Sequence, residues 1–236
     1  MRRLLVAHLP EAGERCVAAP AESHHLLHVL RARPGERLRL ADGHGAAIGV
    51  LEGVDAEGRA QLLVVERLNA PPTPGRTVLL GLPKPALLEE ALTLGAEGGA
   101  TRLVLVRARY SPPGEPRADR LERVLRAAVT QCGRPDLPRV DGPTSLAEAL
   151  RDPTLSPLGA RWLAAPGVSS SPAGPVADGA PTATVAIGPE GGWSPEEVAA
   201  LTGAGFAPLC LGPFVLRTPS AVGAALARLW RDPSRW

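Results

Sequence analysis

Two stretches in the last quarter of the chain carry residue types suited to holding a small planar ligand. They are Ile187-Gly188-Pro189-Glu190-Gly191-Gly192-Trp193 and Leu211-Gly212-Pro213-Phe214-Val215-Leu216-Arg217. Each follows an apolar or β-branched run, Thr182 to Ile187 and Phe206 to Leu211, and each precedes a helical pattern. Strands that stop at glycines and reopen as helices leave backbone N–H groups unpaired and unshielded, the usual setting for a ligand at the carboxyl end of an α/β sheet. Pro189 restricts one torsion, while Gly191 and Gly192 permit positive φ and close approach. Main-chain atoms of such a rigid loop can read the edge of a heterocycle. Ser194 as N-cap, Pro195 at the first helical position and Glu197 three residues after the cap mark where this loop ends. A turn that merely joins strand to helix is the plainer reading of Gly191-Gly192 alone, and the second Gly-Pro loop after the next strand argues against it.

The elements that must position these loops alternate. Thr77 to Leu82 reads as a strand, Pro85 to Glu97 as a helix, Thr101 to Val106 as a strand and Arg117 to Gln131 as a helix with Leu121, Val124, Leu125, Ala128 and Val129 on one face. Further strands are expected at Arg161 to Ala165, Thr182 to Ile187 and Phe206 to Leu211, and a last helix at Ser220 to Trp230, with Ser220 as its cap. This order predicts an α/β fold with a mostly parallel sheet covered by helices on both faces. Residues 1–68 read instead as a small β unit, with short apolar runs at Leu4–Val6, Arg37–Leu40, Ala46–Leu51 and Gln61–Val65 punctuated by Pro34-Gly35, Asp42-Gly43 and Glu57-Gly58. One helix, Pro20 to Arg31, interrupts it, capped at Ser23 or earlier. Residues 69–76, with three prolines within four positions, form a semi-rigid linker, and residues 77–236 form the second domain. The segment Pro166 to Pro181 has no periodic pattern and reads as a loop near the ligand.

Composition narrows the class. With 236 residues, 44% hydrophobic and 21% charged, the chain is long enough for two modest cores. No apolar run reaches the roughly 20 residues of a membrane span, and the start is cut short by Pro10 and Glu11, unlike a signal peptide, so a cytoplasmic, membrane-free protein is expected. Cys16, Cys132 and Cys210 lack metal-type spacing and are expected to be buried apolar residues rather than a disulfide or zinc framework. His24 and His28 share a helical face, yet no third ligand accompanies them, so no metal is expected; an RNA-facing pair or ordinary surface histidines remain. Every basic residue except Lys84 is arginine, which suits phosphate and base contacts, although a G- and C-rich genome explains the same bias. Arg31, Arg33, Arg37 and Arg39 form the densest basic cluster. The absence of a Walker loop and of Gly-x-Gly-x-x-Gly removes the usual support for an ATPase or a dinucleotide fold.

Gly188-Pro189-Glu190-Gly191-Gly192, followed by Leu211-Gly212 and Leu216-Arg217, resembles the C-terminal signature of the SPOUT methyltransferases, most closely the bacterial ribosomal RNA small-subunit methyltransferase E family. His24-His25-Leu26-Leu27-His28-Val29-Leu30-Arg31 is similar to the histidine and Val-Leu-Arg motif of that family's N-terminal domain. The resemblance implies a SPOUT-type trefoil-knotted sheet preceded by a small PUA-like β-barrel, and a homodimer in which Trp230 and its apolar neighbours are candidate interface members. It implies methyl transfer from S-adenosylmethionine to N3 of a uridine in 16S ribosomal RNA. The family's Leu-Arg-x-Glu-Thr-Ala is here Leu216-Arg217-Thr218-Pro219-Ser220-Ala221, so the carboxylate of that motif is missing.

On this resemblance the donor would be read by Ala165, Ile187, Gly188, Pro189, Glu190, Gly191, Gly192, Leu211, Gly212, Pro213 and Leu216. Arg217 is the candidate for stabilising charge on a uracil carbonyl, or else binds phosphate. Glu190 either orients the first loop or accepts a proton. RNA-facing candidates are Arg3, His24, His28, Arg31, Lys84, Gln131 and Arg134, with Glu97 a weaker one, and small-subunit ribosomal RNA is the expected partner. Two other readings keep part of the pattern: a SPOUT enzyme acting on transfer RNA or ribose hydroxyls, and a non-catalytic RNA-binding assembly factor.

Overall fold

Runs of apolar residues long enough to bury both faces of a strand account for the larger sheet. In the computed structural model, which describes residues 1–69, 75–155, 159–165 and 182–229, the chain divides into two units. One comprises Met1–Pro72 with Arg126–Leu137, the other Thr73–Leu125 with Pro138–Trp236. Most of the expected linker, the segment Pro166 to Pro181 and Trp230 lie outside the described residues. Among the described residues no helix is long and apolar enough to cross a membrane.

The first unit holds five strands, β1 (Arg2–Leu5), β2 (Arg15–Val17), β3 (Arg37–Ala41), β4 (Ala46–Val54) and β5 (Ala60–Leu68), in the order β1-β3-β4-β5-β2. Leu38, Leu40, Leu51, Leu62 and Val64 alternate inward and share one core with Leu4, Val6 and Leu26. The pairing is not all hairpins: β1 runs parallel to β3. A parallel pair needs a crossover, and residues 6–36 supply it with β2 and the helical segment. That segment starts as α1 (Pro20–His24) and widens into a π-helical turn over His25–Val29. Ser23 does not cap it. Ala19 is the N-cap, and the buried Ser23 hydroxyl donates to the Ala18 carbonyl and accepts from the Ala60 N–H, pinning the helix to β5.

The second unit is a six-stranded sheet, all pairs parallel. Its strands are β6 (Gly75–Gly81), β7 (Arg102–Arg107), β8 (Arg139–Ser145), β9 (Ala160–Ala164), β10 (Thr182–Ile187) and β11 (Ala207–Pro208), in the order β11-β9-β10-β6-β7-β8. β6, β7 and β10 are buried almost throughout, as strands covered on both faces must be. The helices are α2 (Pro85–Glu97), α3 (Ala118–Cys132), α4 (Leu146–Arg151), α5 (Pro195–Gly203) and α6 (Thr218–Leu229). α2 packs on α6 through Leu88, Ala91, Leu92, Val222, Ala225 and Leu226, all buried. Their approach needs Gly98, where a Cβ would lie 2.9 Å from Leu226 Cδ1.

Several elements differ from the expected ones. β8 reads Arg-Val-Asp-Gly-Pro-Thr-Ser, a loop by composition, and is tolerated because an edge strand can spare the proline's missing donor. α4 follows it with a full capping box between Ser145 and Glu148, a signal present in the residues but too short to show periodicity. The Glu148 carboxyl is held down at about 2, first by the Ser145 hydroxyl and then by the Ser145 N–H and Thr144 hydroxyl. The strand expected over Phe206 to Leu211 shrinks to two residues, because Gly212 and Pro213 follow and the backbone at Gly212 turns to φ 145°. Ser220 lies inside α6 rather than capping it. Cys210 is exposed, and Cys16 and Cys132 are half-buried, so none is a core residue.

The end of β6 is set by contact. A Cβ on Gly81 would stand 2.5 Å from Pro189 Cδ and 2.9 Å from Pro189 N. Gly81→Ala should therefore cost about 1–3 kcal/mol through overpacking, read as a lower midpoint of urea unfolding. An unchanged midpoint would mean that the 188–193 segment yields without cost.

Candidate functional site

The chain leaves the sheet's centre in opposite directions at β6: β7 and β8 follow on one side, β10 and β9 lie on the other. Open α/β sheets bind ligands at such a switch point, beyond the strands' carboxyl ends. The segments that meet there are Leu82-Pro83-Lys84 after β6, Ala108-Arg109-Tyr110 after β7, Ala165 after β9 and the 188–193 loop after β10.

The 188–193 loop folds back on itself. The Gly192 N–H donates to the Pro189 carbonyl at 2.8 Å, and Gly192 takes φ 73°. Gly188 lies so close to Gly192 that a Cβ on it would be 2.9 Å from the Gly192 carbonyl carbon. Gly191 has no positive φ; its need for glycine comes from Tyr110, whose Cβ would be 2.7 Å from a Cβ at 191. Two glycines thus serve close approach and one serves conformation.

Two side-chain hydrogen bonds fasten this loop, and a third side chain ties the turn after it to its neighbour. The Glu190 carboxylate accepts from the Lys84 N–H, at 3.3 and 3.4 Å to its two oxygens, where α2 begins. That places a negative charge at a helix N-terminus, a favourable position. The Thr218 hydroxyl, buried at the start of α6, donates to the Gly188 carbonyl at 3.1 Å. Glu197 does more than complete the capping box: one oxygen accepts from the Ser194 N–H at 2.8 Å, the other from the Arg109 N–H at 2.8 Å. The loop after β7 is thereby tied to α5. Beside it the Glu196 carboxyl is lowered, chiefly by the Ser194 hydroxyl that donates to it at 2.8 Å.

The second loop is different in kind. From Gly212 to Arg217 every residue is exposed, with Leu211 half-buried. The loop offers uncovered main chain with Gly212 and Pro213 at its bend. Arg217 donates to Glu90 of α2 at 3.1 and 3.4 Å, a surface pair with side chains 64% and 42% exposed. Such a pair is screened and weak, so Arg217 can be drawn off by a stronger anion. Pro219, standing where the resembled motif has glutamate, is buried in the first turn of α6, where its missing N–H would have had no helical acceptor. Ala165 is half-buried just beyond β9, whose Ala164 is in register with Ile187. Ile187 and Pro189 are buried, so their side chains shape the loop from beneath.

The other expected residues fall in distinct places. Lys84 is exposed at the start of α2. Glu97 sits at the opposite end of that 13-residue helix, roughly 20 Å from Lys84, and is not part of this site. In the first unit, Arg3 donates to the Gln131 carbonyl and lies across Gly133, where a Cβ would be 2.5 Å from the Arg3 Cζ. Arg3, Arg39 and Arg134 line one cleft with Leu4, Val129 and Thr130. Arg134 pairs with Asp136. Gln131 contributes its carbonyl to that contact. The His24 and His28 rings stand 4.9 Å apart, and Arg31, at φ 54°, closes the π-helical turn while the Ala32 N–H reaches back to the Leu26 carbonyl. A non-glycine residue in the left-handed region and a π-turn are both costly features that cluster at functional segments. Glu90, Thr218, Tyr110 and the second role of Glu197 were not anticipated; only the capping motif at Ser194 hinted at one of them.

Residues 71–230 match the family described as RNA methyltransferase domain, and residues 19–65 the family described as RNA methyltransferase PUA domain. The ribosomal RNA small subunit methyltransferase E of Mycobacterium bovis is 34% identical over 239 residues, covering 97% of this chain and 90% of that protein. The protein of the same name from Synechocystis is 30% identical over 243 residues, covering 96% of this chain and 76% of its own length. Among solved structures, a ribosomal RNA small subunit methyltransferase E from Neisseria gonorrhoeae bound to S-adenosyl methionine superposes with a TM-score of 0.82 at 25% identity, over 97% of this chain and 96% of that one.

Removing the carboxylate that joins α5 to the β7 loop should loosen that loop specifically. Glu197→Ala should destabilise by about 1–3 kcal/mol and accelerate amide exchange at Arg109 and Ser194. Unaltered exchange at Arg109 would show that this hydrogen bond does not hold the loop.

Proposed function

This chain belongs to the ribosomal RNA small subunit methyltransferase E family of RNA methyltransferases, and we propose that it uses S-adenosylmethionine to methylate N3 of a uridine in 16S ribosomal RNA. The observation that carries the site assignment is the glycine-rich 188–193 loop at the switch point, fastened by Lys84 and Thr218, with the exposed 212–217 loop leading into Thr218. They fit an adenosyl group, which offers a planar edge and a ribose to main-chain donors and little charge to pair. Ala165, Ile187 to Gly192, Leu211 to Pro213 and Leu216 would hold it. When bound, the donor supplies an electrophilic methyl group on a sulfonium.

The protein's own residues then have three tasks. Positioning is the first: effective alignment of two reactants supplies much of a transfer's rate, and the rigid 188–193 loop serves it. Charge is the second. A uracil N3 must pass its proton to the Glu190 carboxylate or to solvent water to expose a lone pair, which shifts negative charge to the flanking carbonyl oxygens. Arg217, held among the described residues by an exposed ion pair with Glu90, offsets that charge. Glu190, whose carboxylate accepts from the Lys84 N–H, orients the loop or accepts the proton. RNA binding is the third, assigned to Arg3, His24, His28, Arg31, Lys84, Gln131 and Arg134. Residues 1–68 would form the RNA-binding PUA-like domain and residues 77–236 the knotted methyltransferase domain, acting as a cytoplasmic homodimer.

Incubation with labelled donor and ribosomal RNA from cells lacking the protein, followed by nucleoside mass spectrometry, should yield 3-methyluridine. A 2′-O-methyl product, label confined to transfer RNA, or no label at all would overturn this reading. Arg217→Ala should leave donor affinity by calorimetry unaltered and lower turnover by about 100-fold. Full turnover would remove Arg217 from the mechanism.

A further inference from the structure

Tyr110 is the only tyrosine of the chain, and 53% of it is exposed at the edge of the switch point. Of the described tryptophan, phenylalanine and tyrosine residues, Trp193 and Phe206 are buried and Trp162 is half-buried; Tyr110 and Phe214 are exposed, and both stand on loops of the candidate site. An exposed ring is unremarkable on a floppy segment, but this one is mounted. The Ala108 N–H donates to the Ser111 hydroxyl at 3.1 Å and the Ser111 N–H to the Ala108 carbonyl at 3.1 Å, closing a turn with Tyr110 inside it. The preceding amide, at Arg109, is held by Glu197. The inner edge of the side chain rests on Gly191, within 2.7 Å (Cβ) and 3.1 Å (Cγ) of where a Cβ would be. Among the described residues its hydroxyl has no hydrogen-bond partner, and the backbone bonds at Ala108, Arg109 and Ser111 hold the base of a side chain that is half exposed.

Resting on the reading above, we propose that Tyr110 is the stacking platform for the acceptor base. The chemistry asks for one. N3 of uracil carries the proton used in Watson–Crick pairing, so the base must be presented unpaired, and an unpaired base loses its stacking neighbours. Enzymes acting on base atoms compensate most fully by stacking the extruded base on an aromatic face. A rigidly seated ring against the 188–193 loop meets that need for a pyrimidine whose N3 faces the donor, and does so in a chain with only 3% aromatic residues.

The test compares Tyr110→Phe with Tyr110→Leu, since leucine keeps apolar bulk against Gly191 but has no π-face. Donor affinity by calorimetry, RNA affinity by fluorescence anisotropy without donor, single-turnover methylation and sedimentation are measured on the full chain. Tyr110→Phe should match the parent in all four. Tyr110→Leu should keep donor affinity and oligomeric state but lose about 10- to 100-fold in single-turnover methylation, with weaker binding of RNA bearing the target uridine than the parent shows. Equal turnover for the leucine and phenylalanine variants would overturn the proposal. So would loss of donor affinity in the leucine variant, which would make the ring a prop for the loop, or a shift from dimer to monomer, which would make it a subunit contact. A parent protein that methylates no ribosomal RNA would sink the enzymatic reading itself, a result distinct from an active parent with an indifferent Tyr110.

Discussion

The interaction on which the candidate site depends is the meeting of the end of β6 with the loop after β10, where Gly81 leaves no room for a methyl group against Pro189. Neighbouring parallel strands bring their carboxyl ends side by side, and each loop must then clear the other. Here clearance is obtained by deleting side chains at Gly81, Gly188 and Gly191 and by using a proline that is already bent. The result is a loop that can be approached closely because it has approached its neighbours closely. Its hydrogen bonds to Lys84 and Thr218 come from the starts of two different helices, so no single helix shift can move it alone.

The contrast between the two loops has a functional logic. A tightly fastened loop gives main-chain donors and acceptors a fixed geometry, which directional hydrogen bonds to a heterocycle require. An exposed loop with a glycine bend can settle over a ligand once it is present, at the cost of ordering a few residues. Arg217 sits at the junction between the exposed loop and α6, tied to α2 by a weak surface pair, and so combines reach with a defined resting place. In the first unit the positive charges are also restrained: Arg3 lies on Gly133 and Arg134 is paired with Asp136. Restraint lowers the entropy lost when a long side chain meets a phosphate.

Family membership and structure bear on different questions. The relatives show the family, while the geometry shows which residues fasten the loops and which are exposed. Thr218 is buried against the Gly188 carbonyl, whereas Glu190 is exposed while accepting from the Lys84 N–H. Pro219 shows how a departure from a familiar pattern is absorbed: the position lies in the first helical turn, is buried, and asks for shape more than for charge.

Local chemistry was enough to locate both glycine loops, the capping box at Ser194 and Glu197, the span of α2 and the span of β10, because each depends on torsional preference or on periodicity within a dozen residues. Composition hid β8, whose edge position alone excuses its proline and glycine. Order along the chain could not reveal that β1 pairs parallel with β3, or that Ser23 pins a helix to β5 instead of capping it. Nor could it separate Glu97 from Lys84, two candidates at opposite ends of one helix. What needed the tertiary structure were contacts between residues far apart in sequence: Tyr110 with Gly191, Glu197 with Arg109, Thr218 with Gly188 and Arg217 with Glu90. A sequence records which residues are able to touch, whereas only the packed sheet, by setting which strand ends lie side by side, decides which ones do.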